Sequence, residues 1–174
     1  MAGQYLVITF TGPDRPGIVD RLAAVVREHD GNWESSRMAS LAGRFAGILQ
    51  VEVHPERAER LVAALGAIEG LDLRVEHGLG VEPPARALRL SLTGQDRPGI
   101  VREIAHALAE RGVNIEDLDT RTVEAPMAGG VLFVAEAEVT APASLGIDVL
   151  RGALERIAQD LMVEIALDET DPGR

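Results

Sequence analysis

A repeated loop carries the residue types with the clearest chemical potential. Thr11–Val19 reads TGPDRPGIV and Thr93–Val101 reads TGQDRPGIV, eight of nine positions being identical at an offset of 82. Each copy joins a predicted strand to a predicted helix. The unpaired backbone amides and the positive end of the dipole at the start of that helix favour a carboxylate. Gly17 and Gly99 lack a side chain, so the backbone of a ligand could approach closely.

The same loops also have a purely structural interpretation. Asp14 would cap the helix, Pro16 would occupy its first turn, and Gly17 would permit a tight turn. Because the motif occurs twice with the same flanks, the two interpretations are about evenly balanced. Asn32 and Asn114 begin the next predicted strand of each copy. An asparagine there could recognise a zwitterionic amino acid, or could equally be a turn residue.

Residues for catalysis or metal binding are not arranged in any familiar pattern. His29, His54, His77 and His106 show no metal-ligand spacing, and the sequence contains no cysteine. Two pairs of carboxylates could suggest acid–base work, but a solvated sheet surface explains them better; they are Asp117 with Asp119 and Glu136 with Glu138. No phosphate-binding loop, dinucleotide motif or nucleophile elbow is present. We expect no enzymatic activity, no metal and no cofactor.

The charge balance limits the partners that can be expected. The chain has 17 Lys+Arg against 28 Asp+Glu, a formal net charge of −11, whereas a nucleic-acid binder needs a basic face. The apolar segments fall short of the ~20 residues of a membrane span, and the first of them lacks the flanks of a signal peptide. We therefore expect a cytoplasmic protein without direct contact to nucleic acid or membrane.

The repeat defines the domain organisation. The predicted boundaries are a first domain at 1–80, a linker at 81–86, a second domain at 87–169 and a tail at 170–174. Two prolines in Gly80–Ala85 favour an extended linker. Farther along, Glu52-Val53 matches Glu138-Val139, so the offset grows to 86 and predicts a four-residue insertion around Ala125–Gly129.

Hydrophobic periodicity predicts strand, helix, strand, strand, helix and strand in each repeat. This order indicates an α+β protein of two ferredoxin-like βαββαβ domains, each an antiparallel four-stranded sheet with its helices on one face. Gly31 and Gly112 are expected to end the first helices in a left-handed conformation. The predicted elements include strands Asn32–Leu41, Phe45–Val53 and Leu71–His77 with helix Pro55–Ile68, and strands Asn114–Val123, Gly130–Val139 and Leu161–Leu167.

The repeated Asp-Arg-Pro-Gly-Ile-Val with the following Asn-x-Glu resembles the ACT domain family. Nearly the whole chain, and Asn32–Leu41 in particular, is similar to the tandem-ACT glycine cleavage system transcriptional repressors. The resemblance implies an amino-acid-sensing protein whose domains pair and bind glycine or a similar amino acid where they meet. The candidate contacts carried over by position are Asp14, Arg15, Gly17, Asn32, Asp96, Arg97, Gly99 and Asn114.

The resemblance further implies how such a protein works. The repressors are thought to act on a DNA-binding activator rather than on DNA, so a transcriptional activator is the expected protein partner, and a homodimer is the expected assembly. The copies differ at Ser35–Arg37 against Asp117–Asp119, so the two sites are expected to be unequal. Two alternatives stay open at this point: a separate regulatory subunit of an amino-acid-metabolism enzyme, and an interaction module that binds no ligand.

Overall fold

The computed structural model describes residues 3–78, 86–124 and 130–169, which fold into two compact units, Met1–Val81 and Glu82–Arg174. Unit 1 contains β1 (Gln4–Pro13), α1 (Ile18–Glu28), β2 (Asn32–Leu41), β3 (Arg44–Val53), α2 (Pro55–Gly66) and β4 (Asp72–His77). Unit 2 contains β5 (Arg86–Gln95), α3 (Ile100–Ala109), β6 (Asn114–Glu124), β7 (Val131–Ala141), α4 (Ile147–Leu161) and β8 (Val163–Glu169).

Each unit is a four-stranded antiparallel sheet with two helices packed on it. The strand orders are β2-β3-β1-β4 and β6-β7-β5-β8, which confirms the predicted pair of ferredoxin-like βαββαβ domains. Alternating residues of the central strands, such as Leu6 and Ile8 in β1, are fully buried and meet the apolar faces of the helices. In unit 2, Leu88 and Leu90 are buried at the equivalent positions and belong to the core. Burial of this aliphatic surface provides the main stabilisation of each unit.

The offset of 82 holds from the first strand through the second strand of each unit. Asp30 donates to the carbonyl of Arg27 and Gly31 to that of Val26, and the residues 82 positions later repeat both hydrogen bonds at the end of α3. Both second strands also carry a register shift at matching positions, Trp33/Ser35 in β2 and Ile115/Asp117 in β6. The duplicated sequence therefore specifies the same backbone irregularities twice.

The predicted offset of 86 for the third strand is wrong. In unit 1 Phe10 pairs with Gly47, whereas the equivalent Leu92 pairs with Ala135, so β7 follows β3 at an offset of 88. The hairpin before β7 has therefore gained six residues rather than four. The Glu-Val dipeptide misled the alignment because alternation in a strand allows a two-residue slip without changing which side chains face the core. Residues 125–129 lie outside the described part.

The helix ends also differ from the prediction. Gly17, with φ of 90°, is the N-cap of α1, so Asp14 does not cap the helix and Pro16 precedes it rather than lying in its first turn. At the other end Asp30 (φ 52°), not Gly31, adopts the left-handed conformation that Gly112 (φ 68°) adopts in unit 2. Asp30 and Gly112 are the true equivalents, because they are 82 positions apart.

The remaining boundaries shift by a few residues. Helix α2 ends at Gly66 rather than Ile68, and β8 begins at Val163 rather than Leu161. Arg86, assigned to the linker, is the first residue of β5. The rest of the predicted linker and the tail at 170–174 lie outside the described residues, and the proposed domain limits stay predictions.

Candidate ligand-binding site

The loop between β1 and α1 is held against the β2–β3 hairpin. The backbone N–H of Asp14 donates to the carbonyl of Gly43 (2.9 Å), and the Ser40 hydroxyl donates to the Asp14 carboxylate (2.5 Å). Unit 2 repeats the first of these contacts, since Asp96 N–H donates to the Val131 carbonyl (3.0 Å). The aspartate of the motif therefore fixes the loop to the sheet instead of capping the helix.

The glycine of the motif makes the entry into the helix possible. Gly17 and Gly99 have φ of 90° and 95°, a backbone conformation that residues with a Cβ rarely adopt. Neither helix receives a hydrogen bond from a capping side chain at its N-terminus. A Cβ placed on Gly17 would meet no atom within 4 Å, so the requirement for glycine comes from the backbone angle and not from crowding.

A concavity of about 190 Å³ lies beside this helix start in unit 1. Arg15, Pro16, Gly17, Ile18 and Arg21 form one side of it, and Ile68 and Leu71 form an apolar wall. The position of the Arg15 side chain is fixed by a hydrogen bond that its guanidinium donates to the backbone carbonyl of Glu69 at 2.8 Å. Two guanidinium groups at the positive end of a helix make a site suited to an anion, and carboxylates bind arginine through paired hydrogen bonds.

The equivalent loop of unit 2 has different electrostatics. Glu103 stands where unit 1 has Arg21, and its carboxylate accepts a hydrogen bond from the Arg97 guanidinium at 2.9 Å. Arg97 corresponds to Arg15. Within the described part of the chain Arg21 makes no ion pair, so the loop of unit 1 carries two arginine charges. In unit 2 the charge of Arg97 is neutralised by Glu103.

The structure does not bring the two candidate asparagines to the loop of their own unit. Asn32 pairs with Glu52, which pairs with Tyr5 at the start of β1, whereas the loop follows the end of β1. The whole length of β2 separates them, roughly 30 Å at about 3.3 Å per residue.

Each asparagine instead supports the register shift in its own strand. The Asn114 amide donates to Glu116 at 2.6 Å, and the Thr140 hydroxyl donates to the same carboxylate at 2.9 Å. The Asn32 amide likewise donates to Glu34. The Asn-x-Glu motif thus has a structural role that explains its repetition, since the glutamate is the extra residue of the bulge.

The other residues considered in the sequence have local roles. His54 accepts a hydrogen bond from the Glu56 N–H and caps α2, and His29 contacts the Val25 carbonyl at 2.9 Å. On the sheet of unit 2, Arg121 lies within ion-pair distance of Asp119 and Glu136. No group of three or more His, Asp or Glu side chains among the described residues could hold a metal ion. No described helix is long and apolar enough to cross a membrane.

Sequence reasoning missed Arg21 and the wall formed by Ile68 and Leu71. The signal for Arg21 was available, because an arginine four residues after Gly17 lies one turn into the helix and points back toward its start. The contribution of Ile68 and Leu71 could not be read in the same way, since it depends on how the segment after α2 packs against the loop.

Comparisons with known proteins agree with this architecture. Residues 4–76 and residues 88–159 each match a model of the ACT domain. The UPF0237 protein of Methanopyrus kandleri is 33% identical over 85 residues, which are 49% of this chain and 89% of that protein.

Two solved structures resemble the whole chain. A crystal structure of an unknown protein from Galdieria sulphuraria is 34% identical with a TM-score of 0.88, over 97% of this chain and 99% of that one. The structure of a candidate glycine cleavage system transcriptional repressor is 19% identical with a TM-score of 0.70, over 97% and 98% of the two chains, and that likeness shows the fold. With both repeats matched, the chain belongs to the ACT domain family and carries two ACT domains in tandem.

Proposed function

We propose that this protein is a regulatory sensor that binds glycine or a similarly small amino acid and passes the ligand state to a protein partner that controls transcription. The observation that carries the proposal is the concavity at the start of α1, where Arg15 and Arg21 face an unpaired helix terminus. Membership of the ACT family and the whole-chain likeness to a candidate glycine cleavage repressor support it.

The ligand carboxylate would lie between the two guanidinium groups of unit 1. Charge-assisted hydrogen bonds of this kind are worth about 1.5–3 kcal/mol each, more than neutral ones. The buried Ile68 and half-buried Leu71 on the opposite wall would limit the ligand to a small side chain. Gly17 leaves the approach to the helix amides open.

The other candidate contacts would contribute unequally. Asp14 would hold the loop rather than touch the ligand, because its carboxylate already accepts from Ser40. In unit 2, Asp96, Arg97 and Gly99 would form a weaker site, since Glu103 competes for the Arg97 guanidinium. Asn32 and Asn114 would participate only if another domain brought the start of its second strand to the loop, as a homodimer could do.

The proposed partner is a protein such as a transcriptional activator, and the proposed location is the cytoplasm. The net charge of −11 supports a protein partner over direct contact with nucleic acid, because every phosphate contact requires a neutralising cation.

Titration calorimetry with glycine and the other nineteen amino acids tests the ligand-binding step. Arg21→Glu introduces the residue that unit 2 carries and should weaken the best ligand by about tenfold or more, equal to about 1.4 kcal/mol. Arg27→Glu is the matched control, because it makes the same charge change near the other end of α1. Equal loss in both variants, or no heat with any of the twenty amino acids, would contradict the proposed site.

Affinity capture from native extract tests the regulatory step. The proposal expects a DNA-binding protein to be retained in a manner that depends on the added amino acid and is lost with Arg21→Glu. Retention of a metabolic enzyme in the same ligand-dependent manner would instead favour a separate regulatory subunit.

A further inference from the structure

The edge strand β4 of unit 1 offers a regular backbone edge. Among the described residues β4 pairs only with β1, and the register runs without a shift from Asp72 to His77. The other edge strand of the unit, β2, is interrupted by the register shift after Trp33. Natural proteins protect exposed edges with bulges, prolines or covering elements, and β4 contains no proline. A regular edge of this kind can pair with a further strand.

The phase of the hydrogen bonding identifies the backbone groups on that edge. The N–H of Gly78 donates to the Tyr5 carbonyl at 2.8 Å, so the backbone groups of Gly78 point toward β1. In an antiparallel ladder, alternate residues direct both N–H and C=O to the same neighbouring strand. Leu73, Val75 and His77 therefore direct their backbone groups away from β1. A peptide strand laid along β4 would find a donor and an acceptor at each of these residues.

A groove of about 410 Å³ lies beside this edge, between β4 and α2. Its volume falls within the range of about 300–1,000 Å³ that is usual for binding clefts. Val62, which is 39% exposed, and the half-buried Val75 contribute apolar surface, while Glu59 and the hydrogen-bonded pair of Gln4 and His77 form a polar rim. Side chains of an added strand would alternate between the two faces of the sheet, so every second one would lie over this groove. The groove suits small aliphatic side chains at those positions.

The opposite face of β4 carries a row of alternating charge. Asp72, Arg74 and Glu76 are exposed and lie on the face of the sheet away from the helices. Within the described part of the chain their side chains make no ion pair or hydrogen bond. Opposite charges directly across neighbouring strands stabilise the pairing, and like charges destabilise it. The row therefore specifies its complement, which is a cation, an anion and a cation on the same face of the added strand.

The corresponding edge of unit 2 lacks this alternation. By register, Glu164, Ala166 and Asp168 of β8 stand where β4 has its three charges. Arg89 of β5 lies directly across from Asp168, whereas Val7 holds the equivalent position in unit 1. The alternating row is a property of unit 1, and β8 is a matched control edge in the same chain.

We propose that β4 of unit 1 is a docking edge for an extended segment of a protein partner, which adds to the sheet as an antiparallel strand. The segment has basic, acidic and basic residues opposite Asp72, Arg74 and Glu76, and small aliphatic residues between them that lie over the groove. Backbone hydrogen bonds supply the affinity, and alternate side chains supply the specificity. That this partner is the regulated protein rests on the proposed function, whereas the chemistry of the segment rests on β4 and its groove alone.

Amide-resolved NMR with hydrogen exchange of the full chain tests the edge with two peptides, both acetylated and amidated. They are Lys-Val-Glu-Val-Lys and its charge-reversed counterpart, Glu-Val-Lys-Val-Glu. The first should bind saturably and slow the exchange of the Leu73, Val75 and His77 amides. The amides of Arg74 and Glu76 already face β1 and should keep their exchange rates. The charge-reversed peptide should bind about tenfold more weakly or less.

Three variants locate the contacts. The double variant Asp72→Lys, Glu76→Lys should reverse the preference between the peptides, because two of the three facing charge pairs change sign. Val75→Pro removes an outward N–H and no hydrogen bond to β1, and should weaken the first peptide about tenfold or more. Val62→Glu places a charge in the groove and should also weaken it, whereas Val149→Glu, at an exposed valine of α4, should not. Circular dichroism shows whether each variant folds, and Val62→Glu serves where Val75→Pro does not.

The outcomes are distinguishable. Absence of saturable shifts in β4 with either peptide would overturn the docking edge. Equal affinity for the two peptides would overturn the charge complementarity, and equal slowing of exchange at Ile165 and Leu167 of β8 would overturn the assignment to unit 1. Binding that persists in both Val75→Pro and Val62→Glu would place the peptide elsewhere. The peptides need no amino acid to bind, so glycine titration of the same samples tests the proposed function separately.

Discussion

The two repeats share their backbone and differ in what they enclose. Both start their first helix at a glycine with positive φ, end it with the same hydrogen bonds and carry the same bulge in the following strand. Beside the helix start, however, unit 1 presents Arg21 where unit 2 has Glu103 paired with Arg97. Under the helix, Trp33 packs against the core of unit 1, whereas unit 2 has an apolar cavity of about 30 Å³ between α3 and the sheet.

The difference shows which features a duplicated fold retains. A positive φ or a bulge is specified by one or two residues, and replacing them strains the backbone wherever it must follow the same path. Charge at a helix start and volume under a helix tolerate substitution as long as neighbouring side chains adjust. Local charge and side-chain volume can therefore diverge between the repeats while the architecture stays constant.

The largest expected effect contrasts the two cores. Leu22→Ala should cost unit 1 stability near the upper end of the about 2–5 kcal/mol typical of such truncations, because Leu22 is completely buried in a filled core. Ile104→Ala should cost unit 2 an amount near the lower end, since Ile104 borders the cavity and has fewer partner atoms to lose. Hydrogen exchange in urea, resolved by unit, measures both costs. Equal costs would contradict the difference in packing.

A second pair of substitutions tests the same difference in packing by adding a Cβ in unit 1 and removing the equivalent Cβ in unit 2. Gly47→Ala should destabilise unit 1 by about 1–3 kcal/mol, because the new Cβ would collide with Met38 and Phe10. The reciprocal Ala135→Gly should destabilise unit 2 by less, about 0.5–1 kcal/mol, mainly through backbone entropy. Chemical denaturation with unit-resolved exchange compares them. A stabilised Gly47→Ala variant would show that unit 1 has room to adjust.

Much of this fold was predictable from the sequence, because it depends on local patterns. Alternation in β1 and the 3.6-residue face of α1 fixed the elements, and the repeated motif fixed the correspondence between units. The register of β7 was not predictable, because an alternating strand fits equally well after a two-residue slip. The helix caps were misassigned, because a glycine with positive φ and an aspartate hydrogen-bonded to the hairpin produce the same sequence pattern as a capping aspartate.

The candidate site was predicted less completely for a physical reason. The loop residues Arg15 and Gly17 are close to one another in sequence, so their juxtaposition followed from the motif. Arg21 required a choice of helix face, and Ile68 reaches the loop through tertiary packing that no local pattern encodes. Asn32 was a candidate contact because an asparagine can donate to and accept from a zwitterionic amino acid, and its hydrogen bond to Glu34 at the bulge depends on a strand irregularity that local pattern does not reveal.

Gly17, at the start of α1, is expected to be required for its backbone angle. Gly17→Ala should destabilise unit 1 by about 1–2 kcal/mol, because φ of 90° is unfavourable for a residue with a Cβ although the space is empty. Gly17→Asn should cost less, since asparagine tolerates the left-handed region. A larger Gly17→Leu would combine strain with obstruction, so the asparagine variant is the better probe of ligand access. Thermal unfolding of the three variants, read beside glycine affinity, separates strain from binding, and equal Tm values for Ala and Asn would contradict the backbone argument.

The smallest expected effect lies at the helix C-terminus, where the repeats solve one geometry with different residues. Asp30 and Gly112 both have positive φ, but Asp30 also forms an ion pair with Arg57 of α2. Asp30→Gly would relieve the left-handed strain and lose an exposed ion pair worth about 0–1 kcal/mol, while the unfolded chain would gain freedom. These contributions oppose one another, so the net change in the free energy of unfolding should stay within about 0.5 kcal/mol.

Asp30→Asn removes the charge and keeps the tolerance for positive φ, so it isolates the contribution of the ion pair. That contribution should weaken further as salt is added. Gly112→Asn in unit 2, where no such partner contributes, should be destabilising by less than about 1 kcal/mol. The two changes in the free energy of unfolding are then compared. If Asp30→Asn changes it by more than Asp30→Gly does, the ion pair to α2, and not the backbone conformation, is the reason for an aspartate at this position.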